Sequence, residues 1–417
     1  MIEISFPCGA VNESEANHGI SHFLEHMKFR KMKNKNMKDA NNKIALLGGI
    51  VNAYTTKDQT GYYIKCNITA MSDAIDTIIS LVFNTDFSKN KIDIERKVIL
   101  EELKIKKGSE IYYNDILSSV LKEDNLYLNT IGGDDKTILT LTNEDLKHYN
   151  NYFYCLKKAK FVLNCPKSKT KLMYEKLNKS LSTYKVASVT DIKGKLYNTQ
   201  LDVCDYKRFD PSIIVTPVHA TTNTVIITFC HVGRTNIDHL LVNFIIYILT
   251  GSYKCLLNKY VRQDNGFTYG VNSVKHSFLH FGLLSITFNT SKDEISDIIY
   301  EILAIIKKQI IFGKMKETVF SKFKKDYINS LRFHMKDNNN VMDFYTGLSN
   351  LPIQYDLDKF VSRVEKISLD EFCEVCSEVF RFDKMGCNIL SKKLSQDAHV
   401  DAFQSVLLKI KGLHTRV

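Results

Sequence analysis

HFLEHMKFR, residues 22–30, sets two histidines and a glutamate within one turn of an otherwise apolar segment. A helix advancing 3.6 residues per turn places His22 and His26 one above the other on a single face, with Glu25 beside them. Two imidazoles in that relation are suited to grip one metal ion. The pentad HxxEH also arises by chance, so its surroundings decide how it is read.

A zinc hydrolase commonly uses two histidines and one glutamate as protein ligands and leaves the fourth position to water. The third ligand must therefore come from elsewhere in the chain. In IERKVILEELK (94–104), Glu95 and Glu102 are seven residues apart, two helical turns, and share a face, whereas Glu101 points away. Glu102 is the expected ligand, and Glu95 the expected acceptor that orients one.

Working outward, 417 residues exceed one ordinary core and suit two or more domains. Hydrophobic residues at 44% and charged residues at 25% are globular values, so the chain is expected to fold. The longest apolar runs, LLVNFIIYIL (240–249) and IIYEILAII (298–306), are interrupted by Asn243 and Glu301 and fall short of a bilayer span, so no membrane helix is expected. The N-terminus lacks the pattern of a secretory signal and is not Arg-rich like a transit peptide; a reducing, cytoplasmic compartment is the expectation.

Ten cysteines are scattered along the chain, and only Cys373 and Cys376 form a CxxC. It lies in LDEFCEVCSEVF, which reads as an amphipathic helix, and no second pair completes a structural zinc site with it. A net charge of +11 and the basic stretch KFRKMKNKNMK (28–38) raise nucleic-acid binding as a lesser alternative. No aromatic interleaving or nucleic-acid module accompanies that charge.

The hydropathy pattern repeats. IEISF (2–6) leads into the HFLEH helix; VNAYTTKDQ and TGYYIKCNIT then alternate like strands, followed by helical MSDAIDTIISLVF and IERKVILEELKIKKG, then LTNEDLKHYNNYF and strand-like KFVLNC. The second half runs in the same order: VIITF (225–229), DHLLVNFIIYILTG, strands FTYGVNSV and FGLLSITFNT, helices EISDIIYEILAIIKK and KETVFSKFKKDYINSL, then ISLDEFCEVCSEVF and MGCNIL. Two copies of one α+β domain are expected, 1–200 and 201–417, joined in the polar, Lys-rich region around 185–212. The second copy's first helix carries no HxxEH, so metal chemistry belongs to the first copy alone.

GISHFLEHMKF (19–29), GGIVNAYTTKDQTGYY (48–63), ERKVILEE (95–102) and RQDNGFTY (262–269) together resemble the inverted-motif zinc peptidases, the family of pitrilysin, insulin-degrading enzyme and the mitochondrial processing peptidases. The resemblance covers nearly the whole chain, and in size it is nearest the short two-domain, processing-peptidase-like members. It implies that each domain is a mostly antiparallel sheet packed against helices, the two together forming half of a clamshell. It implies one zinc ion per chain held by His22, His26 and Glu102, with Glu25 as general base toward the attacking water. Asn52 and Ala53 match the edge-strand segment that holds an extended peptide by β-addition. Arg262 and Tyr269 match the family's Arg/Tyr pair, which helps bind substrate and stabilise the oxyanion.

Family domains carry a further strand or hairpin before the segment matching IEISFPCGAVNE. The first sheet is therefore expected either to lack an edge strand or to start at a misassigned residue. A family chamber needs four domains, so a homodimer, or a heterodimer with a homologous subunit, is expected. The function implied is a zinc-dependent metalloendopeptidase acting on short or unfolded peptides. The alternative within the family is a noncatalytic scaffold or assembly subunit.

Overall fold

A computed structural model describes residues 1–30, 42, 44–123, 125–183, 212–218, 221–252, 254–291, 295–351, 355–391 and 396–411. The basic stretch 28–38 beyond Arg30, and the expected junction 185–212 up to residue 211, lie outside the described residues. The chain forms two compact units. One comprises Met1–Ile111, Asp124–Asp202 and Asp337–Ser349; the other comprises Tyr112–Glu123, Val203–Lys336 and Asn350–Val417.

In the first unit, β1 (Ile2–Phe6), β2 (Ile50–Thr55), β3 (Thr60–Lys65) and β4 (Lys160–Leu163) form an antiparallel sheet in the order β2-β3-β1-β4. In the second, β5 (Ser212–Pro217), β6 (Asn223–Val232), β7 (Val271–Ser277), β8 (Phe281–Thr290) and β9 (Gly386–Ser391) form a sheet in the order β5-β9-β6-β8-β7. Read from β7, the second order is β7-β8-β6-β9, which repeats β2-β3-β1-β4 strand for strand. The fold is α+β, with two homologous domains of mostly antiparallel sheet and helices. The extra strand is β5, which joins β9 in parallel.

Apolar periodicity accounts for the helices. Met71–Phe83 buries Met71, Ala74, Ile75, Ile78, Ile79 and Val82, the spacing of one helical face, and packs on β1 and β3. β1 is buried at all five positions because strands flank it on both edges and side chains cover both of its faces. The motif helix, Ile20–Arg30, buries Ile20, Phe23, Leu24 and Met27 in the same core. Each such side chain contributes about 1.5–3 kcal/mol on leaving water. That face anchors the helix and leaves its flank to the polar residues.

Among the described residues no helix is long and apolar enough to cross a membrane. Cys373 and Cys376 lie on the helix Leu369–Val379, the second of them fully buried. Three local readings need correction. FTYGVNSV becomes a strand only from Val271, because Gly266 takes a positive φ of 60° and Tyr269 faces solvent. The helix read over 294–308 is α-helical for Ile295–Ile305 and then widens to a π-helix over Ile306–Ile311. β5 was not read at all.

Candidate metal centre

The start of the motif helix is fixed by groups outside it. Gly19 takes a φ of +87°, and a Cβ there would lie 2.6 Å from the Gly132 carbonyl oxygen and 2.9 Å from the Gly133 Cα. Only glycine meets both the backbone angle and the close approach. The buried Glu13 carboxylate accepts the N–H groups of Gly19 (2.7 Å) and Ser21 (2.9 Å), satisfying donors that the helix leaves open. Burial pushes the Glu13 carboxyl up to about 8, against the hydrogen bonds and Lys57, which favour its charge. Ser21 Oγ and the buried Tyr149 hydroxyl share a 2.7 Å hydrogen bond.

With that entry set, His22 Nε2 and His26 Nε2 lie 3.2 Å apart. Glu102, on the helix Lys89–Ser118, brings Oε2 to 3.2 Å from His26 Nε2 and Oε1 to 3.8 Å from His22 Nε2. Among the described residues these three are the one group whose ligand atoms converge as metal donors. Bonds of about 2.0–2.1 Å at tetrahedral angles hold their donors about 3.3 Å apart, so this set fits a zinc ion.

Glu95 Oε1 lies 2.8 Å from His26 Nδ1, and Glu95 also pairs with Arg30. A proton on Nδ1 donated to Glu95 leaves the Nε2 lone pair directed at the other two donors. Glu101 is exposed and pairs with Lys104 at 2.7 Å, away from the cluster.

The donors open onto a cavity of about 380 Å³ that Glu25, Ala53, Tyr54, Thr55 and Leu103 also line. The Thr55 hydroxyl donates to Glu25 Oε2 at 2.7 Å, holding the carboxylate on the cavity wall. β2 is the edge strand of its sheet. Asn52 is exposed, and its Oδ1 accepts the Ala53 N–H at 2.8 Å. Arg262 and Tyr269 belong to the second unit, where the guanidinium carbon stacks 4.7 Å from the ring centroid and Tyr269 is 86% exposed. The structure thus gathers His22, Glu25, His26, Glu95, Glu102 and Ala53 around one cavity or its immediate support, and pairs Arg262 with Tyr269.

Thr55, Arg30 and Glu13 were not read as parts of the site. Arg30 follows His26 by four residues, one helical turn, so its place on the Glu95 side was readable in the spacing. Thr55 and Glu13 carry no such periodic signal, because their contacts form only when strand, loop and helix assemble.

The fold and this donor set are similar to those of known peptidase-like domains. Residues 1–132 match the model of the insulinase family, peptidase family M16. Over 381 residues the chain is 24% identical to an uncharacterised zinc protease, YmxG, of Bacillus subtilis, covering 90% of this chain and 89% of that one. It is 34% identical over 147 residues, 34% of its length, to the mitochondrial-processing peptidase subunit beta of Blastocladiella emersonii, a match spanning 32% of that subunit. Two solved structures share the fold. A putative M16-like peptidase from Alicyclobacillus acidocaldarius gives a TM-score of 0.75 at 16% identity over 93% of this chain and 92% of that one. A domain from Pseudomonas fluorescens described as an inactive M16 peptidase domain gives 0.74 at 16% identity over 95% and 93%. These likenesses support the insulinase (M16) family, whose model residues 1–132 match.

Proposed function

We propose that this protein is a zinc-dependent metalloendopeptidase that hydrolyses short or unfolded peptides. The observation that carries the reading is the convergence of His22, His26 and Glu102 on one point, with the Glu25 carboxylate on the same cavity wall. A zinc ion held by those three side chains would supply Lewis acidity toward a water and the scissile carbonyl.

The chain's own residues do the rest. Glu25, steadied by the Thr55 hydroxyl, takes a proton from the attacking water and delivers it to the leaving amine. Glu95 keeps His26 in the tautomer that presents Nε2. The open edge of β2 at Asn52 and Ala53 holds an extended peptide through backbone hydrogen bonds, which read little side-chain sequence. A peptide strand pairing at Ala53 would replace Asn52 as acceptor of the Ala53 N–H. Arg262 and Tyr269 donate to the tetrahedral oxyanion.

The partner in this reading is a second subunit, identical or homologous, whose Arg262/Tyr269 pair completes the site; the relatives include a processing-peptidase subunit beta. Mixing His22→Ala chains with Arg262→Ala chains then restores activity in mixed dimers. No rescue in demonstrated mixed dimers removes the shared site.

The noncatalytic reading has one observation behind it, the likeness to a domain described as inactive. The presence here of every ligand and of Glu25 favours catalysis. Purified protein should carry one zinc per chain and cut a quenched peptide library in a chelator-sensitive way. Stoichiometric zinc without any cleavage would favour the scaffold.

A further inference from the structure

A second cavity, of about 400 Å³, lies within the second unit. Its exposed mouth carries Lys254, Lys259 and Lys308 against one exposed carboxylate, Asp264. Its wall is apolar and half-buried, formed by Leu256, Ile305 and Phe323. The other carboxylate there, Glu301, accepts the Tyr260 hydroxyl at 3.2 Å. The size is that of a small-molecule site.

A separate feature points to the same place. Both π-helical stretches of the described chain, Asn258–Asp264 and Ile306–Ile311, contribute lining residues, Lys259 from the first and Lys308 from the second. Helices that widen in this way are frequent at functional sites.

We propose that this cavity binds a small amphipathic carboxylate, an alkyl or aromatic body seated on the apolar wall with its acid group among the three lysines. A polyphosphate would use the lysines and leave the wall without an apolar partner. A neutral hydrocarbon would fill the wall and make no contact with the basic rim. Nothing in this proposal depends on the peptidase reading.

The test is a fluorescence titration of the full chain with dansyl-labelled undecanoate, competed by decanoate and by decanol. One saturable site is expected, with decanol at least about tenfold weaker than decanoate. Lys308→Glu and Val319→Glu each weaken binding by about tenfold or more. Both positions are exposed, so the variants keep the wild-type thermal midpoint. Absence of a saturable site in wild type, decanol competing as well as decanoate, or folded variants binding within about twofold of wild type would each overturn the proposal.

Discussion

The first helix of each unit occupies the same place after the same strand, and the two differ in what they carry. Ile20, Phe23, Leu24 and Met27 are buried in one, and Leu241, Phe244, Ile245 and Ile248 in the other, at the same spacing. That register sets His22 against Asn243, Glu25 against Ile246, His26 against Tyr247 and Lys28 against Leu249. The apolar face that holds the helix down is common to both. The flank that lines the cavity in the first unit carries imidazoles and a carboxylate, which the second lacks, so fold and metal-donor chemistry are written on different faces of one helix.

The largest test of that division is Glu25→Gln, which keeps shape and removes the carboxylate proposed as the base. Hydrolysis should fall about 10²–10⁴-fold while bound zinc stays at one per chain. An unchanged turnover removes Glu25 from the mechanism.

Next comes Glu95→Gln, which leaves all three donors in place but weakens the acceptor behind His26. Zinc affinity should drop about 10–100-fold in a chelator competition, with the fold intact.

Lys28→Leu gives the first helix the residue its counterpart has. Lys28 is fully buried, donates to the Val82 carbonyl (2.8 Å), the Thr85 hydroxyl (2.6 Å) and the Asn150 side chain, and lies 4.3 Å from the Tyr154 ring centroid. Leucine orphans those acceptors, so unfolding should be easier by about 1–3 kcal/mol in denaturant titration. A stabilised variant would mean that the buried ammonium is no more than tolerated.

The smallest effect concerns how the helices begin. In the second unit Asn236, a neutral group, accepts the Asp238 N–H at 2.9 Å, whereas the first unit uses the ionisable Glu13. The folded carboxyl sits at about 8, above its unfolded value of 4.5, so the unfolded chain releases the proton first and rising pH favours unfolding across that window. Glu13→Gln, which also loses one acceptor, should be less stable than wild type at pH about 5, with the gap narrowing toward pH about 8. A gap independent of pH contradicts the shifted carboxyl.

Much of this was legible because it is local. Met71–Phe83 was read to the residue, and β8 likewise, since each is a periodic apolar run with clear ends. The spacing of Glu95 and Glu102 was enough to put both on one face of their helix, the face that meets His22 and His26. What escaped depends on distant partners. β5 is made a strand by parallel pairing with β9, more than 150 residues later, and nothing in SIIVTP announces that neighbour. The hold of Thr55 on Glu25 exists only once β2 lies beside the motif helix. Tyr269 sits in an alternating stretch that reads as strand, yet a left-handed glycine upstream keeps it out of the sheet.

The most direct measurement is anomalous diffraction at the zinc edge from crystals of the zinc-loaded protein. One peak per chain is predicted, bonded by His22 Nε2, His26 Nε2 and a Glu102 oxygen at about 2.0–2.2 Å, with Glu25 outside the bonding shell. A zinc ion bound elsewhere, or those three side chains diverging when zinc is supplied, would contradict the account.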